Sequence, residues 1–184
     1  TAPIPFIENA PQERFALCFD PKHILVTVGG SEAIDLALRA CVERGEEVLV
    51  PDPAYVSYSP LVTMSDGIPV HVECHEEDNF VLKPEYLEKA ITPKTKMLIF
   101  NSPSNPTGAV YNEEEVRAIA KVCEEAEIFV LADEIYEKLC YNGVKPFSIA
   151  KCSEKMKDLT ITVNGVSKTY AMTGWRVGYL AAPK

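Results

Sequence analysis

The chain has 184 residues, 47% of them hydrophobic and 24% charged, a globular balance long enough to bury one substantial core. Its 18 lysines and arginines against 27 aspartates and glutamates give a net charge of −9 with no basic stripe, which argues against binding nucleic-acid phosphates. No apolar run approaches the ~20 residues that a membrane-spanning helix needs.

Residues 1–20 carry no periodic pattern and read as an irregular lead-in, without the basic and apolar regions of a secretory leader. The chain opens on Thr1 and stops at Lys184 straight after a strand-like run, which reads as a piece of a longer protein. From Ile24 onward, short β-rich runs alternate with helical patterns, the mark of an α/β fold. The expected strands are Ile24–Val28, Glu47–Pro51, Pro69–Glu73, Met97–Phe100, Ile128–Ala132, Thr160–Val163 and Arg176–Ala181. Several are continuous apolar runs, as expected of parallel strands covered on both faces.

Between them, Ile34, Ala37, Leu38 and Cys41 recur at helical spacing and form one apolar stripe. A second helix is expected after Asn112, with Glu115 completing a capping-box-like pair and Val116, Ile119, Ala120 and Cys123 as its stripe. The acidic run Glu113-Glu114-Glu115 fits a first helical turn, where carboxylates complement the dipole. The six cysteines (Cys18, Cys41, Cys74, Cys123, Cys140 and Cys152) make no C-x-x-C pair, and the three histidines fall at no metal-ligand spacing. Reduced, mostly buried thiols in a cytoplasmic protein are the expectation, with no metal. No repeat or low-complexity linker divides the chain, so 21–184 reads as one domain.

In open α/β sheets ligands bind beyond the carboxyl ends of parallel strands, and the polar residues gather there. Val26–Val28 runs into Gly29-Gly30-Ser31-Glu32, where small residues and a helix start can cradle an anion. The same sequence is also an ordinary turn with Ser31 as N-cap. The lysine and spacing of a P-loop are absent, as is a G-x-G-x-x-G fingerprint, which disfavours ATP and dinucleotides. Asp133 follows five apolar residues, so an ionised carboxylate there needs either a helix to cap or a positive group to meet. Lys168 is flanked by small, aromatic and apolar residues rather than by charges, which suits a desolvated amine as well as a surface one. Arg176 can offer a guanidinium to a phosphate, or form a surface ion pair at a strand start.

Together these residues resemble fold-type I pyridoxal-phosphate-dependent enzymes, specifically the class I/II aminotransferases. The resemblance runs from about Ile24 to the end. It is carried by Ser167-Lys168-Thr169-Tyr170 through Gly174-Trp175-Arg176-Val177-Gly178-Tyr179, then by Asn105-Pro106-Thr107-Gly108 and Ala132-Asp133-Glu134-Ile135-Tyr136. It implies a three-layer α-β-α fold with a mostly parallel sheet of about seven strands, here the cofactor-binding large domain without the family's small domain. Lys168 would carry the cofactor as a Schiff base and shuttle a proton at the substrate's α-carbon. Asp133 would keep the pyridine nitrogen protonated. Asn105 and Tyr136 would bond the ring's 3-oxygen, and Tyr55 would stack on its face, unless Tyr55 is simply core packing. The phosphate would lie among the Gly30, Ser31 and Glu32 backbone, Ser167 and Arg176, with the Glu32 carboxylate turned away. The bonds before Pro103 and Pro106 are candidates for cis peptides.

The implied reaction is transamination between an amino acid and a 2-oxo acid, of the aspartate aminotransferase kind, in a homodimer. The arginine that holds the substrate's carboxylate in this family has no counterpart that can be assigned here. A carbon–sulfur lyase or a cyclopropane-forming synthase of the same fold, or a non-catalytic cofactor-binding fragment, shares the same motifs.

Overall fold

Period-two alternation in the strands divides the core into two. Val48 and Val50, Met97 and Ile99, and Leu131 face one side of the sheet, while Leu49, Leu98 and Phe100, and Val130 and Ala132 face the other. Each side needs its own helical cover, and the chain supplies it, giving three layers.

The computed structural model describes residues 19–183; Cys18 and most of the expected lead-in over 1–20 lie outside the described residues. The strands are β1 Ile24–Thr27, β2 Glu47–Asp52, β3 Ile68–Glu73, β4 Thr95–Asn101, β5 Phe129–Asp133, β6 Thr160–Gly165 and β7 Gly178–Ala181. They form a seven-stranded sheet in the order β1-β7-β6-β5-β4-β2-β3. Only β7 runs against its neighbours, so β1 to β6 share one direction and end on one edge.

Helices α1 Gly30–Cys41 and α2 Tyr58–Met64 cover one face. On the other lie α3 Pro84–Ala90, α4 Glu113–Ala126 and α5 Glu154–Leu159. A short α6, Val166–Thr169, follows β6 directly. Helix α4 has the expected capping box: Asn112 accepts from the Glu115 N–H at 3.0 Å, and the Glu115 carboxylate accepts from the Asn112 N–H at 2.9 Å. Its expected stripe is buried, as are Ile34, Ala37 and Leu38 in α1, with Cys41 half-buried at the helix end.

Three expectations need correction. Arg176 does not begin a strand: it lies in the left-handed region at φ 52°, and β7 starts at Gly178. Ser31 is not an N-cap, because α1 already starts at Gly30 with Gly29 as its cap. No helix follows Asp133 to be capped; residues 134–139 make turns. Of the five described cysteines, all free, Cys74 and Cys123 are buried and the other three half-buried. Both expected cis bonds, before Pro103 and Pro106, are cis, and so is the bond before Pro53.

Candidate functional site

The common carboxyl edge of the sheet collects the polar residues. β4 delivers Asn101, β5 delivers Asp133, β6 leads through Gly165 to Ser167 and Lys168, and β1 leads to Gly29 and Gly30. Asn101 pairs with Asp133 and Gly165 with Gly178 in the sheet register.

Asp133 is only 5% exposed. Its Oδ2 accepts a 2.7 Å hydrogen bond from the Tyr58 hydroxyl, and its Oδ1 accepts the Ile135 N–H at 3.1 Å. Burial pushes the carboxyl above the ordinary aspartate range, and these two donors work against that shift. Tyr58 is itself buried, and burial together with the adjacent carboxylate raises its proton affinity well above that of a free phenol. Tyr55 is half-buried, packs on the α1–α2 side of the core and meets Tyr58 edge to face at 5.4 Å.

Asn101 ties the neighbouring loop to this strand end. Its side-chain NH₂ donates to the Asp133 carbonyl at 2.9 Å, and its side-chain oxygen accepts the Asn105 N–H at 2.8 Å. Asn105 in turn donates to the Tyr136 hydroxyl at 3.2 Å. The Lys168 ammonium stands 5.7 Å from the centre of the Tyr136 ring. So Asp133, Asn105, Tyr136 and Lys168 are joined through named contacts, as expected of one site.

The second half of the site is built of glycines. A Cβ at Gly178 would lie 2.4 Å from the carbonyl carbon of Gly29 and 2.5 Å from the nitrogen of Gly30, so the start of β7 lies directly against the start of α1. A side chain at Gly29 would collide with the Arg176 guanidinium. That guanidinium donates to the Thr173 and Val28 carbonyls at 3.1 and 3.3 Å, which uses part of its fan of donors and holds it over the helix start. Ser167 is buried one residue before Lys168, while Ser31 is exposed in the first turn of α1. The Glu32 carboxylate, in the first turn of α1, turns back to accept the Val28 N–H. The Ile135 side chain stands where Cβ atoms on Gly30 and Gly165 would meet it, at 3.7 and 3.1 Å, and so lies between the glycine cradle and the Asp133 turn.

Lys168 and Arg176 are both exposed, so the amine expected to be desolvated stands open to solvent. The sequence reading missed Tyr58 and gave Asn101 no role. Asn101 could have been found from its place at the last position of β4, whereas Tyr58 carries no such signal. Glu134, beside Asp133, is half-buried, and burial pushes its carboxyl up to about 7.

Could this edge hold an aldehyde phosphate with a basic ring? An anion cradle that excludes Cβ atoms, with a guanidinium fixed over it, suits a phosphate. A buried carboxylate held by two neutral donors suits a cationic ring nitrogen. A lysine amine next to Tyr136 suits an aldehyde. The donor set fits pyridoxal phosphate.

Comparison with known proteins gives the same direction. The family model for aminotransferase class I and II matches residues 5–184. The aspartate aminotransferase of Geobacillus stearothermophilus is 43% identical over 185 residues, covering 98% of this chain and 47% of that protein. The aromatic-amino-acid aminotransferase 2 of Thermococcus litoralis is 48% identical over 166 residues, covering 90% of this chain and 42% of that protein. Among solved structures, the aromatic aminotransferase of Pyrococcus horikoshii superposes with a TM-score of 0.90 at 46% identity, over 94% of this chain and 46% of that one. The aspartate aminotransferase of Thermus thermophilus with maleate gives 0.88 at 43% identity, over 94% and 45%. The chain spans about half the length of the relatives it matches.

Proposed function

Because the chain belongs to the class I and II aminotransferase family, we propose that it is the pyridoxal-phosphate-binding domain of an enzyme that transfers an amino group from an amino acid, aspartate among the candidates, to a 2-oxo acid. The observation that carries this reading is the convergence of the Tyr58-held Asp133 carboxylate, the Lys168 amine beside Tyr136, and Arg176 over the Gly29–Gly30 cradle on one sheet edge.

When bound, the cofactor supplies an aldehyde to hold the amino group and a protonated ring that withdraws electrons from the substrate's α-carbon. Asp133 keeps a charge facing the ring nitrogen. Asn105 and Tyr136, hydrogen-bonded to each other at 3.2 Å, would bond the 3-oxygen. Ser167, Arg176 and the backbone N–H groups of Gly30, Ser31 and Glu32 bind the phosphate and fix the ring's orientation. Tyr55 would pack on the ring face. Lys168 would hold the aldehyde carbon, and its amine would be the group placed to move a proton at the substrate's α-carbon.

The relatives are named as transferases of amino groups, which favours transfer over a lyase or synthase reaction. The test is covalent. The chain mixed with pyridoxal phosphate and reduced with borohydride should carry the adduct on the tryptic peptide containing Lys168, and Lys168→Ala should abolish it. Trapping that persists in the variant sinks the lysine assignment. In the full-length protein, paired amino and 2-oxo acids should exchange nitrogen; release of thiol or ammonia without transfer would replace the transferase reading with a lyase.

A further inference from the structure

We propose that Tyr58 is a positioning residue for Asp133: its hydroxyl holds the carboxylate charged and in one orientation, ready for a cationic ring nitrogen. A buried carboxylate is costly unless hydrogen bonds replace its water. The two groups that replace water at Asp133 are neutral, a phenol O–H on Oδ2 and a backbone N–H on Oδ1. Of these, the phenol bond is the shorter and is charge-assisted.

The ring of Tyr58 is explained by packing, but its hydroxyl is not. Tyr58 is 3% exposed among Val48, Val50 and Val62 and meets Tyr55 edge to face, and a phenylalanine would fill the same space. A buried phenol needs a partner for its O–H, and the partner here lies 75 residues away on β5. Burial and the adjacent carboxylate both keep that phenol protonated, so it serves only as a donor to Asp133. Each carboxylate oxygen then has one donor, while an ionised carboxylate accepts about four. Accepting capacity remains for the N–H of a cationic ring.

The titratable groups around Asp133 are Tyr55 and Tyr58 from the β2–α2 segment, Glu134 and Tyr136 from the turn after β5, and Lys168 across the Tyr136 ring. The inference rests on the cofactor reading only for the identity of the cation, and its first measurement needs no cofactor.

The experiment follows the Asp133 carboxyl by carbon NMR in the cofactor-free chain, with Tyr58→Phe checked for folding by circular dichroism. Loss of a hydrogen bond to a charged group should raise the Asp133 titration by about one pH unit or more. Tyr55→Phe should leave it unchanged. A folded Tyr58→Phe chain with an unaltered Asp133 titration overturns the proposal. If Tyr58→Phe does not fold, a slowly exchanging Tyr58 hydroxyl proton in the unsubstituted chain, absent in Asp133→Ala, which offers it no acceptor, supports the role, and its absence in the unsubstituted chain counts against it. In a second step, absorbance titration with pyridoxal phosphate should show about tenfold weaker binding by Tyr58→Phe. If the unsubstituted chain binds no cofactor, the reading of the site fails while the NMR comparison still decides the role of Tyr58.

Discussion

The Arg176 guanidinium occupies the space a side chain at Gly29 would need: a Cβ there would lie 2.2 Å from Nη2 and 2.8 Å from Cζ. Gly29 also sits at φ 82° and ψ 170°, a region nearly reserved for glycine that costs an L-residue about 1–3 kcal/mol. The far end of Arg176 can swing aside, so Gly29→Ala should cost little beyond that strain. It should, however, release the guanidinium from the helix start and weaken binding of inorganic phosphate by about tenfold, read by calorimetry. At Gly178 the neighbours are backbone, which cannot swing. Gly178→Ala should push β7 from α1 and lower stability by more than about 3 kcal/mol in urea unfolding.

These glycines mark what the sequence could and could not show. Strand positions followed from apolar runs and came within two residues at every end, because the central strands β2, β4, β5 and β6 bury both faces and so leave a continuous signal. Asp133, Asn105 and Lys168 stood out because polar residues at the end of such runs need a reason to be there. Tyr58 did not, since an aromatic in Pro53-Ala54-Tyr55-Val56-Ser57-Tyr58 reads as packing until the fold brings β5 to it. The left-handed turn at Arg176 was equally invisible, because its cause is the distant helix start it must reach.

Asn101 should be structural support for the site. It satisfies the Asp133 carbonyl and the Asn105 N–H with one side chain, at 2.9 and 2.8 Å. Asn101→Ala strands both partners, and with about 1–3 kcal/mol per unsatisfied buried group a loss of roughly 2–6 kcal/mol is expected in chemical denaturation. Asn101→Asp keeps the acceptor but sets an oxygen against the carbonyl, so it should not rescue. A loss under about 0.5 kcal/mol for Asn101→Ala would mean that the two bonds are replaced by water.

Asp133→Asn preserves volume and leaves an amide oxygen for the Tyr58 hydroxyl, so the chain should fold. It removes the charge proposed to face the ring nitrogen. Affinity for pyridoxal phosphate should fall at least about tenfold by absorbance titration, and amino-group transfer by the full-length enzyme should drop severely. Unchanged transfer would count against the electron-withdrawing role assigned to the ring.

The acidity of Glu134 makes stability depend on pH in a direction that can be worked out. Burial, with the negative charges of Glu137 and Asp133 added and the Ser148 hydroxyl and Lys151 opposing, lifts its carboxyl from the ordinary 4.5 to about 7. The folded chain therefore holds this proton more tightly than the unfolded chain, and the neutral acid stabilises the fold in full below about 4.5. That contribution drains away as pH rises toward and through about 7. At 1.36 kcal/mol per unit the whole shift is worth about 3 kcal/mol, and partial exposure of Glu134 reduces it to roughly 1–3 kcal/mol. Glu134→Gln has no proton to lose, so its stability should fall less between pH 5 and pH 8 than that of the unsubstituted chain. The two chains should differ most on the alkaline side, with Glu134→Gln the more stable there. Urea unfolding at pH 5, 6, 7 and 8 reads the difference directly, and parallel pH profiles for the two chains would show that Glu134 titrates as an ordinary surface carboxylate.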